Sequence, residues 1–78
     1  MKIYVGNLEY NMTDLELNNL FTPYGNVVNS RIMMEFYTRR SLNYGYVKMS
    51  TASDARSAIA GLNGKQVNNR PLVVKEVN

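Results

Sequence analysis

Two kinds of side chain in this sequence have chemistry to offer. Tyr4, Tyr44 and Tyr46 carry aromatic rings, which stack on flat ligands, and phenols, which exchange hydrogen bonds. Lys2, Arg31, Lys48 and Lys75 carry positive charge and pair with anions. Most of them alternate with aliphatic residues in short runs, as in Lys2-Ile3-Tyr4-Val5 and Tyr44-Gly45-Tyr46-Val47-Lys48-Met49. Successive side chains of a β-strand point to opposite faces, so this spacing collects rings and charges on one side. The chemistry available there is stacking and anion pairing, with no bond made or broken.

Composition disfavours catalysis. The chain has 78 residues, room for one small core. It has no cysteine, hence no disulfide, thiolate nucleophile or cysteine-ligated zinc, and no histidine, the commonest acid–base and metal-binding side chain. Nine basic and six acidic residues leave a net charge of +3. A basic binding module is expected, not an enzyme, with no cofactor and no metal. The apolar stretch in Met1–Gly6 is too short for a leader peptide, and Asn7 and Glu9 interrupt it. No run approaches the roughly 18 apolar residues of a membrane span, so no membrane partner is expected. These features, with the lack of cysteine, point to a cytoplasmic location. Without a linker or repeat, residues 1–78 read as one domain.

Positioning those side chains requires strands, and the pattern supplies them. Lys2–Val5 reads as a strand ending at Gly6-Asn7. Thr13 with Glu16 forms a capping box, Met12 and Leu17 a hydrophobic staple, and Leu17, Leu20, Phe21 and Tyr24 an apolar stripe. The helix should run from about Asp14 to Thr22, loosening at Pro23 before Gly25. Val27–Met34 and Tyr44–Met49 read as strands joined by the polar Thr38-Arg39-Arg40-Ser41. Thr51 with Asp54 suggests a second capping box, and Ala55, Ala58, Ile59 and Leu62 a second stripe ended by Asn63-Gly64. After a turn-rich stretch through Asn68-Asn69, Leu72–Lys75 closes the chain as a strand.

The order βαββαβ implies an α+β, ferredoxin-like sandwich: a four-stranded antiparallel sheet with two helices on one face. Right-handed crossovers place both helices on the same side, leaving the other sheet face uncovered. Alternation sends Ile3, Val5, Ile32, Met34, Val47, Met49, Leu72 and Val74 inward. Lys2, Tyr4, Arg31, Met33, Tyr44, Tyr46, Lys48, Val73 and Lys75 then face outward, with no carboxylate among them. An isolated strand tyrosine is more often half-packed structure than a ligand contact. Three on one uncovered basic face suit single-stranded nucleic acid, whose bases stack on rings while its phosphates meet cations.

Both runs resemble signatures of the RNA recognition motif family. Ile3-Tyr4-Val5-Gly6-Asn7-Leu8 is similar to its six-residue signature at every position. Leu42-Asn43-Tyr44-Gly45-Tyr46-Val47-Lys48-Met49 resembles its eight-residue signature, which runs Lys/Arg, Gly, Phe/Tyr, Gly/Ala, Phe, Val, any residue, Phe/Tyr. The likeness continues through Leu20-Phe21, Tyr24-Gly25, Ala58-Ile59, Leu62-Asn63-Gly64 and Leu72-Val73-Val74, covering residues 2 to about 77. It implies that Tyr4 and Tyr46 stack on two neighbouring bases while Tyr44 packs near the sugars. Two departures stand out. Leu42 replaces a phosphate-contacting cation, a role that Arg39 or Arg40 in the adjoining loop could take over. Asn43 replaces glycine, and Asn is the next best residue for a left-handed backbone.

The implied activity is binding of single-stranded RNA in post-transcriptional regulation, by a monomer, through Lys2, Tyr4, Arg31, Arg39, Arg40, Tyr44, Tyr46, Lys48 and Lys75. Single-stranded DNA stays open as a ligand. The alternative is a protein-interaction module of the same fold, which binds a protein partner through its helical side or a covered sheet. Asn18-Asn19 and Asn68-Asn69 read as surface and turn residues, and Arg56, Lys65 and Arg70 as solvated charges.

Overall fold

The computed structural model of the chain describes residues 1–77; Asn78, the last residue of the expected 1–78 domain, lies outside the described residues. The elements run β1 (Lys2–Gly6), α1 (Asp14–Phe21), a single 3₁₀ turn (Thr22–Tyr24), β2 (Val27–Met34), β3 (Ser41–Met49), α2 (Ala52–Leu62), β4 (Gln66–Val67), β5 (Arg70–Pro71) and β6 (Val73–Val77). Four strands pair antiparallel in the order β2-β3-β1-β6. This is the expected ferredoxin-like sheet, with the two signature-bearing strands at its centre.

Both helices cover one face of that sheet. Ile3, Val5, Ile32, Val47, Met49 and Val74 of the strands share a buried core with Leu17 and Phe21 of α1 and Ala55, Ala58 and Leu62 of α2. Truncating Phe21, which is fully buried, would cost about 3–5 kcal/mol. α1 begins as its sequence suggests: the Glu16 amide donates to Thr13 Oγ1 at 3.1 Å, and the Thr13 amide donates to Glu16 Oε1 at 3.0 Å. Its first residue also protects the sheet edge, since the Ile32 amide of β2 donates to Asp14 Oδ1 at 2.8 Å. A capped edge amide is unavailable to a strand from another chain.

Two strands have other bounds than expected, β3 starting at Ser41 within the expected connection and β6 running Val73–Val77, and the structure departs from expectation at three further places. Met34 is 52% exposed, not inward, because the β2–β3 register shifts between Ile32 and Met34 and breaks the alternation. The second capping box is half formed: the Asp54 amide donates to Thr51 Oγ1 at 3.1 Å. The Asp54 carboxylate instead lies against Gly25, whose φ of 150° and lack of Cβ make room for it. Aspartate is one methylene shorter than the glutamate that closes such a box. Between α2 and β6 the chain also forms a small β4–β5 hairpin, unforeseen as strands. Its turn residues Asn68 and Asn69 have φ of 52° and 66°, the paired left-handed conformations of a two-residue hairpin loop.

Candidate nucleic-acid interface

Strand register decides which residues share the uncovered face. Arg31 of β2 lies opposite Tyr46 of β3, Tyr46 opposite Tyr4 of β1, and Tyr4 opposite Lys75 of β6. These four side chains therefore form one row across all four strands. A neighbouring row holds Asn29, Lys48, Lys2 and Val77, and on the other side Tyr44 lies opposite Gly6 and Gly6 opposite Val73. No acidic residue belongs to these rows. Glu76 pairs with inward-facing Ile3 and so takes the opposite face.

The three rings form a close triangle. Tyr4 and Tyr44 are stacked with centroids 5.6 Å apart and planes at 27°. Tyr46 stands edge-on to both, 6.0 Å from Tyr4 and 5.9 Å from Tyr44. Gly6 makes that packing possible: a Cβ at this position would come within 2.6 Å of the Tyr4 hydroxyl and 2.7 Å of its Cε1. Gly45 plays a different part, since a Cβ there would run into the Arg31 carbonyl of β2. One glycine seats a ring and the other seats a strand.

Lysines lie over the rings. Lys2 Nζ is 4.3 Å from the Tyr46 centroid, and Lys75 Nζ is 5.2 Å from that of Tyr4. Each ammonium occupies the zone in which a flat ligand would stack. Lys48 is exposed beside them. Arg31 reaches the end of the row nearest β2.

At the start of β3, Asn43 has the left-handed φ of 65° expected of a glycine substitute. It is also bonded to the loop after β1. Its Nδ2 donates to the Leu8 carbonyl at 3.0 Å, and the Leu8 amide donates to its carbonyl at 2.9 Å. This ties down the backbone next to Tyr44. Leu42 is exposed and supplies no charge.

Arg39 and Arg40 lie in the β2–β3 turn, off the sheet rows. The turn is held by the Glu35 amide donating to the Arg40 carbonyl at 2.7 Å and the Arg39 amide donating to the Glu35 carbonyl at 3.0 Å. The Glu35 carboxylate accepts from the Thr38 amide at 2.6 Å and from Thr38 Oγ1 at 2.8 Å. The amide bond from Thr38, then its hydroxyl, then the Tyr37 amide hold the Glu35 carboxyl below its ordinary range. Arg39 shares a concavity of about 400 Å³ with Arg31 and Met33, whereas Arg40 is not among its lining residues.

Sequence reasoning missed two features. Phe36 and Tyr37 stand exposed at the tip of this turn, their rings 5.1 Å apart and edge to face. An aromatic pair just before Arg39-Arg40, where turns favour small polar residues, was the available signal. The pairing of particular lysines with particular rings had none, because it depends on register.

Comparison with known proteins follows the same lines. A family model described as the RNA recognition motif matches residues 3–73. The chain is 36% identical over 75 residues to the chloroplastic 29 kDa ribonucleoprotein of Arabidopsis thaliana, covering 96% of this chain and 22% of that protein. Among solved structures, RNA Binding Protein PG1 superposes with a TM-score of 0.96 at 40% identity, covering 99% of this chain and 93% of that one. An Sxl-lethal protein–RNA complex superposes with a TM-score of 0.94 at 35% identity, covering 99% of this chain and 46% of that one. The chain spans between 11% and 44% of the length of the curated relatives it matches. Several of those relatives are chloroplastic and one is mitochondrial, which overturns the expected cytoplasmic location. The same sheet and core serve in more than one compartment, so residues that build them carry no address.

Proposed function

The chain belongs to the RNA recognition motif family, and from that premise we propose that it acts as one monomeric domain that binds single-stranded RNA across the uncovered sheet face. The observation that carries this reading is the row Arg31–Tyr46–Tyr4–Lys75, which alternates neither acid nor bulk aliphatic into the path of a strand. Tyr4 and Tyr46 receive two neighbouring bases, and Tyr44 packs against the sugars. Lys2, Arg31, Lys48 and Lys75 meet phosphates, and Arg39 or Arg40 replaces the cation absent at Leu42.

The lysines over the rings do not block this. An exposed cation–π contact is worth about 0.5–1 kcal/mol. A base stacked on an aromatic side chain contributes about 1–3 kcal/mol. The base therefore displaces the ammonium, which stays within reach of the phosphate that arrives with it. Two stacks and a few phosphate contacts place binding near micromolar, about −8 kcal/mol. Stacking accepts every base, so sequence preference is broad. The setting is post-transcriptional handling of RNA, and no catalytic step is proposed.

Titrating a short randomised RNA pool and its DNA counterpart tests this. Tyr4→Ala and Tyr46→Ala should each weaken RNA binding by about tenfold. With three to five phosphates neutralised, log K should fall with log salt at a slope of roughly −2 to −4. Arg39→Ala with Arg40→Ala should make the slope shallower, and an unchanged slope refutes their role. Binding that neither tyrosine substitution alters refutes the sheet-face reading, and a protein partner becomes the alternative.

A further inference from the structure

The β2–β3 turn carries apolar surface that the fold does not use. Phe36 is 72% exposed and Tyr37 is 89% exposed, and neither belongs to the core or to the residues packed against it. They are held by a bonded turn: Glu35 accepts from Thr38 through both the amide and the hydroxyl, and Arg39 takes a left-handed φ of 61°. Tyr37 braces Phe36 edge-on at 72°. Beside Phe36 lies the concavity of about 400 Å³ that it shares with Arg31, Met33 and Arg39. Arg31 ends the row of rings on the sheet, so the concavity meets that row at Arg31 and runs from there along β2 to the turn. Glu35, the acid in its wall, has its carboxylate engaged within the turn.

We infer that Phe36 is a further base platform, with Arg39 as its phosphate partner, for nucleotides of the same RNA strand that lies on Tyr4 and Tyr46. This rests on the sheet-face reading proposed above. The occupant follows from continuity through Arg31 and from the exposed ring and the guanidinium-bearing residue that line one concavity. One inter-strand step and five residues of chain, three in β2 and two in the turn, separate Tyr46 from Phe36, a span of at most roughly 20 Å. A tetranucleotide seated on Tyr4 and Tyr46 stops short of that distance, whereas an octanucleotide passes it.

The test measures oligouridylates of four and eight nucleotides against wild-type protein, Phe36→Ala, Phe36→Tyr, Arg39→Ala and Tyr4→Ala, by fluorescence anisotropy and chemical-shift titration. Phe36→Ala should weaken the octamer by about tenfold and leave the tetramer unchanged, while Phe36→Tyr retains wild-type affinity for both. Arg39→Ala should weaken the octamer and reduce its salt slope by about 0.7. Tyr4→Ala should weaken both lengths. An octamer affinity unchanged by Phe36→Ala, or an equal loss on both lengths, overturns the inference while Tyr4→Ala still upholds the sheet. If Tyr4→Ala alters neither length, the sheet-face reading fails and the inference falls with it. An unchanged octamer affinity would leave the aromatic tip to a protein partner.

Discussion

Replacing Gly6 by alanine should damage the interface without damaging the fold. The added Cβ would sit 2.6 Å from the Tyr4 hydroxyl and 2.7 Å from its Cε1, with no backbone atom among its nearest neighbours. Carbon contacts settle at about 3.5–4.0 Å, so the ring must withdraw by about 1 Å or tilt. The ring is the free end of a side chain and can move at little cost. It gives up part of its packing on Tyr44 and Tyr46, worth about 0.5–1.5 kcal/mol for an aromatic pair. Alanine in place of glycine returns about 0.5–1 kcal/mol through the unfolded chain. Stability measured by urea unfolding should therefore stay within about 1 kcal/mol of wild type. Binding should not, because a base stack of about 1–3 kcal/mol depends on where the Tyr4 ring lies. We expect a loss of about tenfold in RNA affinity by anisotropy, close to that of Tyr4→Ala. The double substitution should lose no more than Tyr4→Ala alone, since both changes act on one ring. Undiminished affinity for Gly6→Ala, or losses that add in the double variant, would refute the reasoning that Gly6 acts by seating Tyr4.

Asn43→Ala removes the side-chain bond to the Leu8 carbonyl and places a residue ill suited to φ 65° at that position, costing about 1–3 kcal/mol in urea unfolding. Asn43→Gly keeps the backbone and should cost less. The Glu35 carboxyl, held low by the Thr38 amide first and the Thr38 hydroxyl second, should titrate below its ordinary value of 4.5 in a side-chain NMR titration. Because its folded pKa is depressed, the turn's contribution is complete above the unfolded value and lost as pH falls through the folded one. The Thr38 amide resonance should move over that acidic window and stay still above it, and Thr38→Val should bring the Glu35 titration back up.

Much of the site was legible from spacing because strand alternation is a local property. Lys2 and Tyr4, like Tyr44, Tyr46 and Lys48, must share a face wherever β1 and β3 run straight, whatever lies beside them. The capping of α1 by Thr13 and Glu16 is equally local. Alternation fails where a neighbouring strand intrudes, as at Met34, turned outward by a register shift that pairing with β3 imposes. Asp54 likewise follows a long-range preference for the space at Gly25 over its own helix start.

Residue types and their spacing were enough to establish the ferredoxin-like order, the three rings on one face and the absence of acids beside them. Periodicity reports each strand's own two faces, and composition bounds the chemistry. Register and packing belong to no single segment, because hydrogen bonds between strands and side-chain volume set them. They alone lined up Arg31, Tyr46, Tyr4 and Lys75 in one row, laid Lys2 and Lys75 over particular rings, and seated Tyr4 on Gly6. They also joined Phe36 and Arg39 to the end of that row through Arg31.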